Sequence, residues 1–104
     1  MIVEYIRYTL TAHTPDELIT AYGLAARHLD AAPECVDYEL AQCVEEPASL
    51  ILRIRWRSTE AHMAGFRQGP HFPPFLTAIR PFIAEIADMR HYKVTEVRSD
   101  VQGS

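Results

Sequence analysis

An antiparallel α+β sandwich of βαββαβ order is the fold that this sequence predicts. Three observations carry it. Cys35–Val44 and Leu50–Arg57 both alternate apolar and polar residues around the short polar turn Glu45-Glu46-Pro47-Ala48, which is the pattern of an antiparallel hairpin. A capped amphipathic helix precedes that hairpin and follows a strand-like N-terminal run. A broken helical stretch and a last strand-like run follow the hairpin.

Residues 2–10 are rich in β-branched and aromatic types, with Ile2, Ile6 and Tyr8 on one parity and Val3, Tyr5 and Arg7 on the other, as expected of a strand covered on both faces. Thr14-Pro15-Asp16-Glu17 opens a helix: Thr14 caps, Pro15 suits the first helical position, and Glu17 completes a capping box. Leu18, Tyr22, Ala25 and Leu29 recur at helical spacing as its buried stripe, and Pro33 marks its exit. In the hairpin, Val36, Tyr38 and Leu40 oppose Asp37 and Glu39; Leu50, Leu52, Ile54 and Trp56 oppose Arg53, Arg55 and Arg57. Ser58 is placed to cap a helix over about 59–68, which Gly69-Pro70 breaks. A second helical piece carries Phe75, Leu76, Ile79, Ile83 and Ile86, with Pro81 kinking or splitting it. Residues 90–97 read as the final strand. Helices on one face of an antiparallel four-stranded sheet give a ferredoxin-like sandwich, one domain over residues 1–97 with a frayed tail over 98–104.

The 104 residues are 48% hydrophobic and 23% charged, an ordinary balance for a soluble globular domain. A net charge of −4 gives no reason to expect nucleic acid or an anionic membrane as partner. No apolar run approaches the roughly 20 residues of a membrane span. The first run carries Glu4 and Arg7 among its apolar residues and has no basic leader, so it reads as a strand and not a signal peptide. A cytoplasmic location is the expectation. On one strand, Cys35 and Cys43 would lie roughly 26 Å apart, too far for a disulfide, so free thiols are expected. Neither cysteine has a partner at metal-ligand spacing, and no metal is expected.

One sheet face stays uncovered by helices. Val3, Tyr5 and Ile51 lie there beside Asp37, Glu39, Arg53 and Arg55. That mixture fits a solvated face with cross-strand charge pairs, or an interface with a second copy in which charges set the register; the apolar members favour the interface. His91 is expected on this face, toward the partner.

The stretch from Ile51 to Phe75 concentrates the aromatic and histidine residues. A strand ends in Trp56; Ser58-Thr59-Glu60-Ala61-His62 follows, then Pro70-His71-Phe72-Pro73-Pro74-Phe75. His62 and Phe66 share a helix face. The element order, the length and the Trp56-Arg57-Ser58-Thr59-Glu60-Ala61 to Pro70-His71-Phe72 region resemble the antibiotic biosynthesis monooxygenase family, of the dimeric α+β barrel superfamily, over about residues 1–97. The resemblance implies a homodimer whose two sheets face each other, with a pocket in each subunit between sheet and helices. It implies oxygenation of a quinol or other phenolic aromatic with no metal, flavin or other cofactor. Haem-degrading members of the family carry an Asn, a Trp and a His where this chain, placed without gaps, has Ile6, Gly65 and Phe75. Ile lacks a hydrogen-bonding group and Phe cannot ligate iron, so that branch is not expected.

Cofactor-free oxygenation needs a base near neutral pKa, and His is the obvious type. His62 and His71 are the candidates, flanking the expected pocket mouth. Glu4 shares the helix-facing parity of Ile6 and Tyr8; it would serve as base, as partner of a His, or simply as a salt-bridge partner of an Arg at the sheet edge. Trp56, Phe66, Phe72 and Tyr38 are the expected aromatic walls for a flat ligand. His13 and His28 are expected to be structural. The rival reading is a non-catalytic dimeric module that binds a small hydrophobic ligand, haem among the candidates, or a partner protein.

Overall fold

In the computed structural model, which describes residues 1–99, the chain forms strand β1 (Ile2–Thr9), helix α1 (Pro15–Ala31), strands β2 (Cys35–Gln42) and β3 (Ser49–Trp56), a π-helix (Ala61–Phe66), helix α2 (Phe72–Ile79), a 3₁₀-helix (Arg80–Glu85) and strand β4 (Ile86–Lys93). Of the expected tail, residues 100–104 lie outside the described part. The sheet order is β2-β3-β1-β4, with every neighbouring pair antiparallel. This is the expected ferredoxin-like α+β architecture. Among the described residues, no helix is long and apolar enough to cross a membrane. Both cysteines are free thiols.

The local signals for α1 act as written in the sequence. Glu17 N–H donates to Thr14 Oγ1 at 3.2 Å and Thr14 N–H donates to Glu17 Oε1 at 2.7 Å, with Pro15 at the first helical position. Leu18, Tyr22, Ala25 and Leu29 are buried against the sheet residues Tyr8, Leu50, Leu52 and Ile54. Full burial of each large apolar side chain stabilises the fold by about 1.5–3 kcal/mol relative to exposure. Tyr8 and Tyr22 satisfy each other in this core, with hydroxyl oxygens 2.6 Å apart.

After Trp56 the helix differs from expectation. Ser58 Oγ accepts from Ala61 N–H at 2.9 Å, but the helix widens at once, and Arg67 N–H reaches back to the His62 carbonyl at 3.0 Å. This five-residue spacing is a π-type bond, a geometry that recurs at functional sites. Gly69 closes the segment. A Cβ there would sit 2.2 Å from the Gly65 carbonyl oxygen, so no side chain fits. Pro81 splits the second helical piece as expected: α2 stops at Ile79 and a tighter 3₁₀ turn carries Pro81 to Glu85.

The last strand is a correction. It runs from Ile86 to Lys93, not from 90 to 97. Ile86, read as the end of a helical stripe, instead pairs with Tyr8, and the register slips so that Arg7 faces Asp88. The extra residue is a bulge, which inverts the alternation of everything after it. Ile86 and Met89 therefore both point to the helix side. His91, two residues on, lies opposite Glu4 on that same side, and not toward a partner subunit.

The open face of the sheet has the expected composition. Arg55 Nε donates to Asp37 Oδ1 at 2.8 Å, and Arg53 lies 3.5 Å from Asp37 and 3.3 Å from Glu39. Tyr5 and Tyr92 meet edge to face with ring centres 5.4 Å apart.

Candidate functional site

Between the sheet and the π-helix–α2 layer lies a cavity of about 210 Å³. Ile6, Ile54, Phe66, Phe72, Phe75 and Ile79 form most of its apolar wall. Phe66 packs edge-on against Phe72 and Phe75, with ring centres 5.7 and 5.6 Å away. Polar groups enter in two places. Arg67, exposed at one side, lies with its guanidinium carbon 5.4 Å from the centre of the Phe72 ring. The other polar region is built by Glu4 and His62, each only 3% exposed.

The sheet register assembles that second region. Glu4 on β1 lies between Ile54 of β3 and His91 of β4. Trp56, at the end of β3, donates its indole N–H to Glu4 Oε1 at 3.0 Å. The π-helix lays the His62 ring flat on Trp56, with centres 4.5 Å apart and planes 15° off parallel. His62 Nδ1 is 3.0 Å from His91 Nε2, so one ring donates to the other. The carboxylate is more distant: His62 Nε2 is 3.4 Å from Glu4 Oε1, and His91 Nε2 is 3.6 Å from Glu4 Oε2. Those separations are long for charge-assisted hydrogen bonds.

Electrostatics follow from this geometry. Burial raises the Glu4 carboxyl above its ordinary value, opposed by the Trp56 N–H and by the positive potentials of His91 and Arg67. Burial pushes the His62 ring down to about 4, helped by His91 and Arg67. At neutral pH His62 is thus an uncharged imidazole, titrating below the near-neutral range expected of the base, beside a carboxyl that burial raises. The arrangement joins a buried imidazole inside an apolar cavity to His91, whose side chain is 36% exposed.

The sequence-expected residues divide into two groups. Glu4, His62, Trp56, Phe66 and Phe72 line the one cavity. His62 is not at its mouth, as expected, but is buried within it. His71 and Tyr38 are not among the lining residues. His71 sits at the start of α2, where its carbonyl accepts from Phe75 N–H at 3.3 Å. Tyr38 lies against α1 on the β2 side, and its hydroxyl donates to Asp30 at 2.6 Å. Of the partners expected for Glu4, histidine and not arginine is found: His62 and His91 lie 3.4 and 3.6 Å from its carboxylate. His91, Arg67, Phe75 and Met89 were missed; a strand boundary at Ile86 with a bulge would have brought His91 into the reading. His13 is structural, held by Glu85.

The model of the antibiotic biosynthesis monooxygenase family matches residues 1–78, from β1 into α2. No curated protein matches the chain. Among solved structures, a Bordetella bronchiseptica protein that carries the family's name superposes with a TM-score of 0.77 at 20% identity, over 90% of this chain and 96% of that one. A Chloroflexus aurantiacus protein of the same designation gives 0.73 at 21% identity, over 94% and 96%. SnoaB, a cofactor-independent oxygenase from Streptomyces nogalater, gives 0.71 at 20% identity, over 97% of both chains. At such identities the structural likeness speaks for the fold, and the family model speaks for descent. With that model spanning β1, the Trp56 strand end and the His62 helix, the chain belongs to the antibiotic biosynthesis monooxygenase family.

Proposed function

We propose that the protein is a cofactor-independent monooxygenase acting on a quinol or other phenolic aromatic, with His62 as the general base and Glu4 as its partner. The observation that carries this reading is an uncharged, buried imidazole beside a carboxyl in an otherwise apolar cavity. An engineered cavity of about 150 Å³ holds a benzene ring, so 210 Å³ suits one or two fused rings and is small for haem. The shared fold with SnoaB, a cofactor-independent oxygenase, supports the reaction class.

The phenolic proton passes to the His62 lone pair, and the electron-rich anion left behind reduces dioxygen. One oxygen atom enters the ring and the other leaves as water, so the substrate supplies every electron. The aromatic walls hold the ring flat and keep bulk water out. Arg67 and the Trp56 N–H favour negative charge in the cavity. Oxygen uptake with naphthohydroquinones, corrected for autoxidation and run on chelator-treated protein, should exceed background. Uptake at the background rate, with hydrophobic dyes still bound, would leave the cavity a binding site and reject the enzyme.

The same reading makes the protein a homodimer through the open sheet face. Val3, Tyr5, Ile51 and Tyr92 supply apolar surface there, and the Asp37–Arg55 and Glu39–Arg53 pairs set register. Light scattering should give twice the chain mass; a value near 11.8 kDa at micromolar concentration would refute it.

A further inference from the structure

We propose that Glu4, His62 and His91 form a binding site for a divalent first-row transition ion, of the zinc or iron type, in the wall of the cavity. Sequence spacing hides this site, because its members are far apart in the chain. The sheet register and the π-helix bring one ligating atom from each within 4.8 Å of the others. Two imidazoles and one carboxylate are the donor set that zinc, iron, cobalt and nickel accept.

The convergence of three donors from distant parts of the chain is the main argument. With metal–ligand bonds of about 2.1 Å, donor atoms lie about 3.0 Å apart at right angles and about 3.4 Å apart in a tetrahedron. Taken one atom per residue, the donors lie within 4.8 Å of one another, so modest side-chain rotations would draw them to that spacing; the shorter contacts of 3.0, 3.4 and 3.6 Å involve both ring nitrogens of His62 and both oxygens of Glu4. The Glu4–His separations exceed good hydrogen bonds, so neither ring holds the carboxylate tightly. The supports are also present. The Trp56 N–H holds Glu4, and stacking on Trp56 holds the His62 ring. Glu4 and His91 are register partners on adjacent strands, so two of the three donors stand on the rigid sheet. His91 lies beyond the residues matched by the family model, which end at 78.

The proposal does not rest on the oxygenase reading, but it bears on it. An ion at this position takes the His62 lone pair that the base would use, so a loaded site is a silenced base. Zinc would then inhibit, and chelation would restore, any oxygenation at this cavity.

The test uses the full chain, stripped with chelator and dialysed. Zinc chloride is titrated by calorimetry, and cobalt chloride by visible absorption, both at neutral pH. One ion per chain, micromolar affinity or tighter, and d–d bands of a four- or five-coordinate cobalt site are expected. His91→Ala and Glu4→Gln should each weaken binding roughly tenfold or more, and His28→Ala should leave it unchanged. His91 is partly exposed, so its removal should leave the thermal unfolding of the ion-free protein near wild type. Absence of saturable binding overturns the proposal. So does equal affinity in the wild type, His91→Ala and Glu4→Gln, because the ion would then sit on other residues.

Discussion

Two buried glutamates in this small domain each meet histidine, and their surroundings drive them in opposite directions. Glu85, at the end of the 3₁₀-helix, accepts N–H bonds from Thr11, Ala12 and His13 at 2.7, 2.9 and 3.3 Å, and also bonds the His13 ring. Those donors, the His13 ring first, hold its carboxyl down at about 2. Glu4 has one close donor, the Trp56 indole, and burial raises its carboxyl instead. The lesson is that burial alone does not decide a carboxyl's state. The His13 ring and the backbone donors that converge on the carboxylate keep Glu85 an anion until strongly acid pH, tying the β1–α1 loop to the 3₁₀-helix. With few donors and an apolar cavity beside it, Glu4 can take up a proton.

The largest expected effect separates the two pairs by activity. His62→Gln should lower oxygen-dependent quinol turnover roughly 10²–10⁴-fold, the usual weight of a general base, and Glu85→Gln should leave it close to wild type. Gln is preferred to Ala because the His62 ring is buried against Trp56, and truncation would open a void. Equal losses in both variants would erase the functional distinction.

Stability against pH sharpens the contrast. The Glu85 carboxyl lies at about 2 in the fold against an ordinary 4.5, so the folded state binds fewer protons than the unfolded chain between those values. Its contribution is complete above pH 4.5 and is lost as pH falls toward 2. In Glu85→Gln the thermal midpoint at neutral pH should drop, and it should then change less than wild type across that window. A wild-type slope retained in the variant would assign the acid sensitivity elsewhere. Glu4 acts in the opposite sense, since a raised carboxyl makes the fold lose stability as pH rises through its titration.

Smaller effects come from single hydrogen bonds. Trp56→Phe keeps most of the ring and removes the close donor to Glu4, which should cost about 1.5–3 kcal/mol when the carboxyl is charged. Chemical denaturation at pH 5 and pH 8 measures it, with the larger loss expected at pH 8. Tyr22→Phe, away from both glutamates, removes the Tyr8–Tyr22 bond at about 1 kcal/mol and sets the scale for a neutral core bond. A Trp56→Phe loss no larger than this would mean that Glu4 carries no charge worth solvating.

The elements made by neighbours in the chain were legible from the residues. The Thr14–Glu17 capping box, the apolar stripe of α1, the β2–β3 hairpin and the split at Pro81 all depend on groups a few residues apart, and all form as read. So does the meeting of Trp56, Phe66 and Phe72 on one cavity, because a strand end, a short helix and a breaker leave few ways to pack. Tertiary structure decided the rest. One bulge residue between Arg7 and Tyr8 pairing reversed the parity of β4 and carried His91 from the expected partner face to Glu4. No local periodicity encodes that slip, because it depends on how Ile86 docks against Tyr8. The widening of the helix after Glu60, the burial of His62 and the exclusion of His71 and Tyr38 from the cavity likewise depend on how distant layers fit together. The sequence by itself determined which local elements form; the long-range register of strands and helices decided which side chains share the cavity, because a shift of one residue exchanges the two faces of a strand.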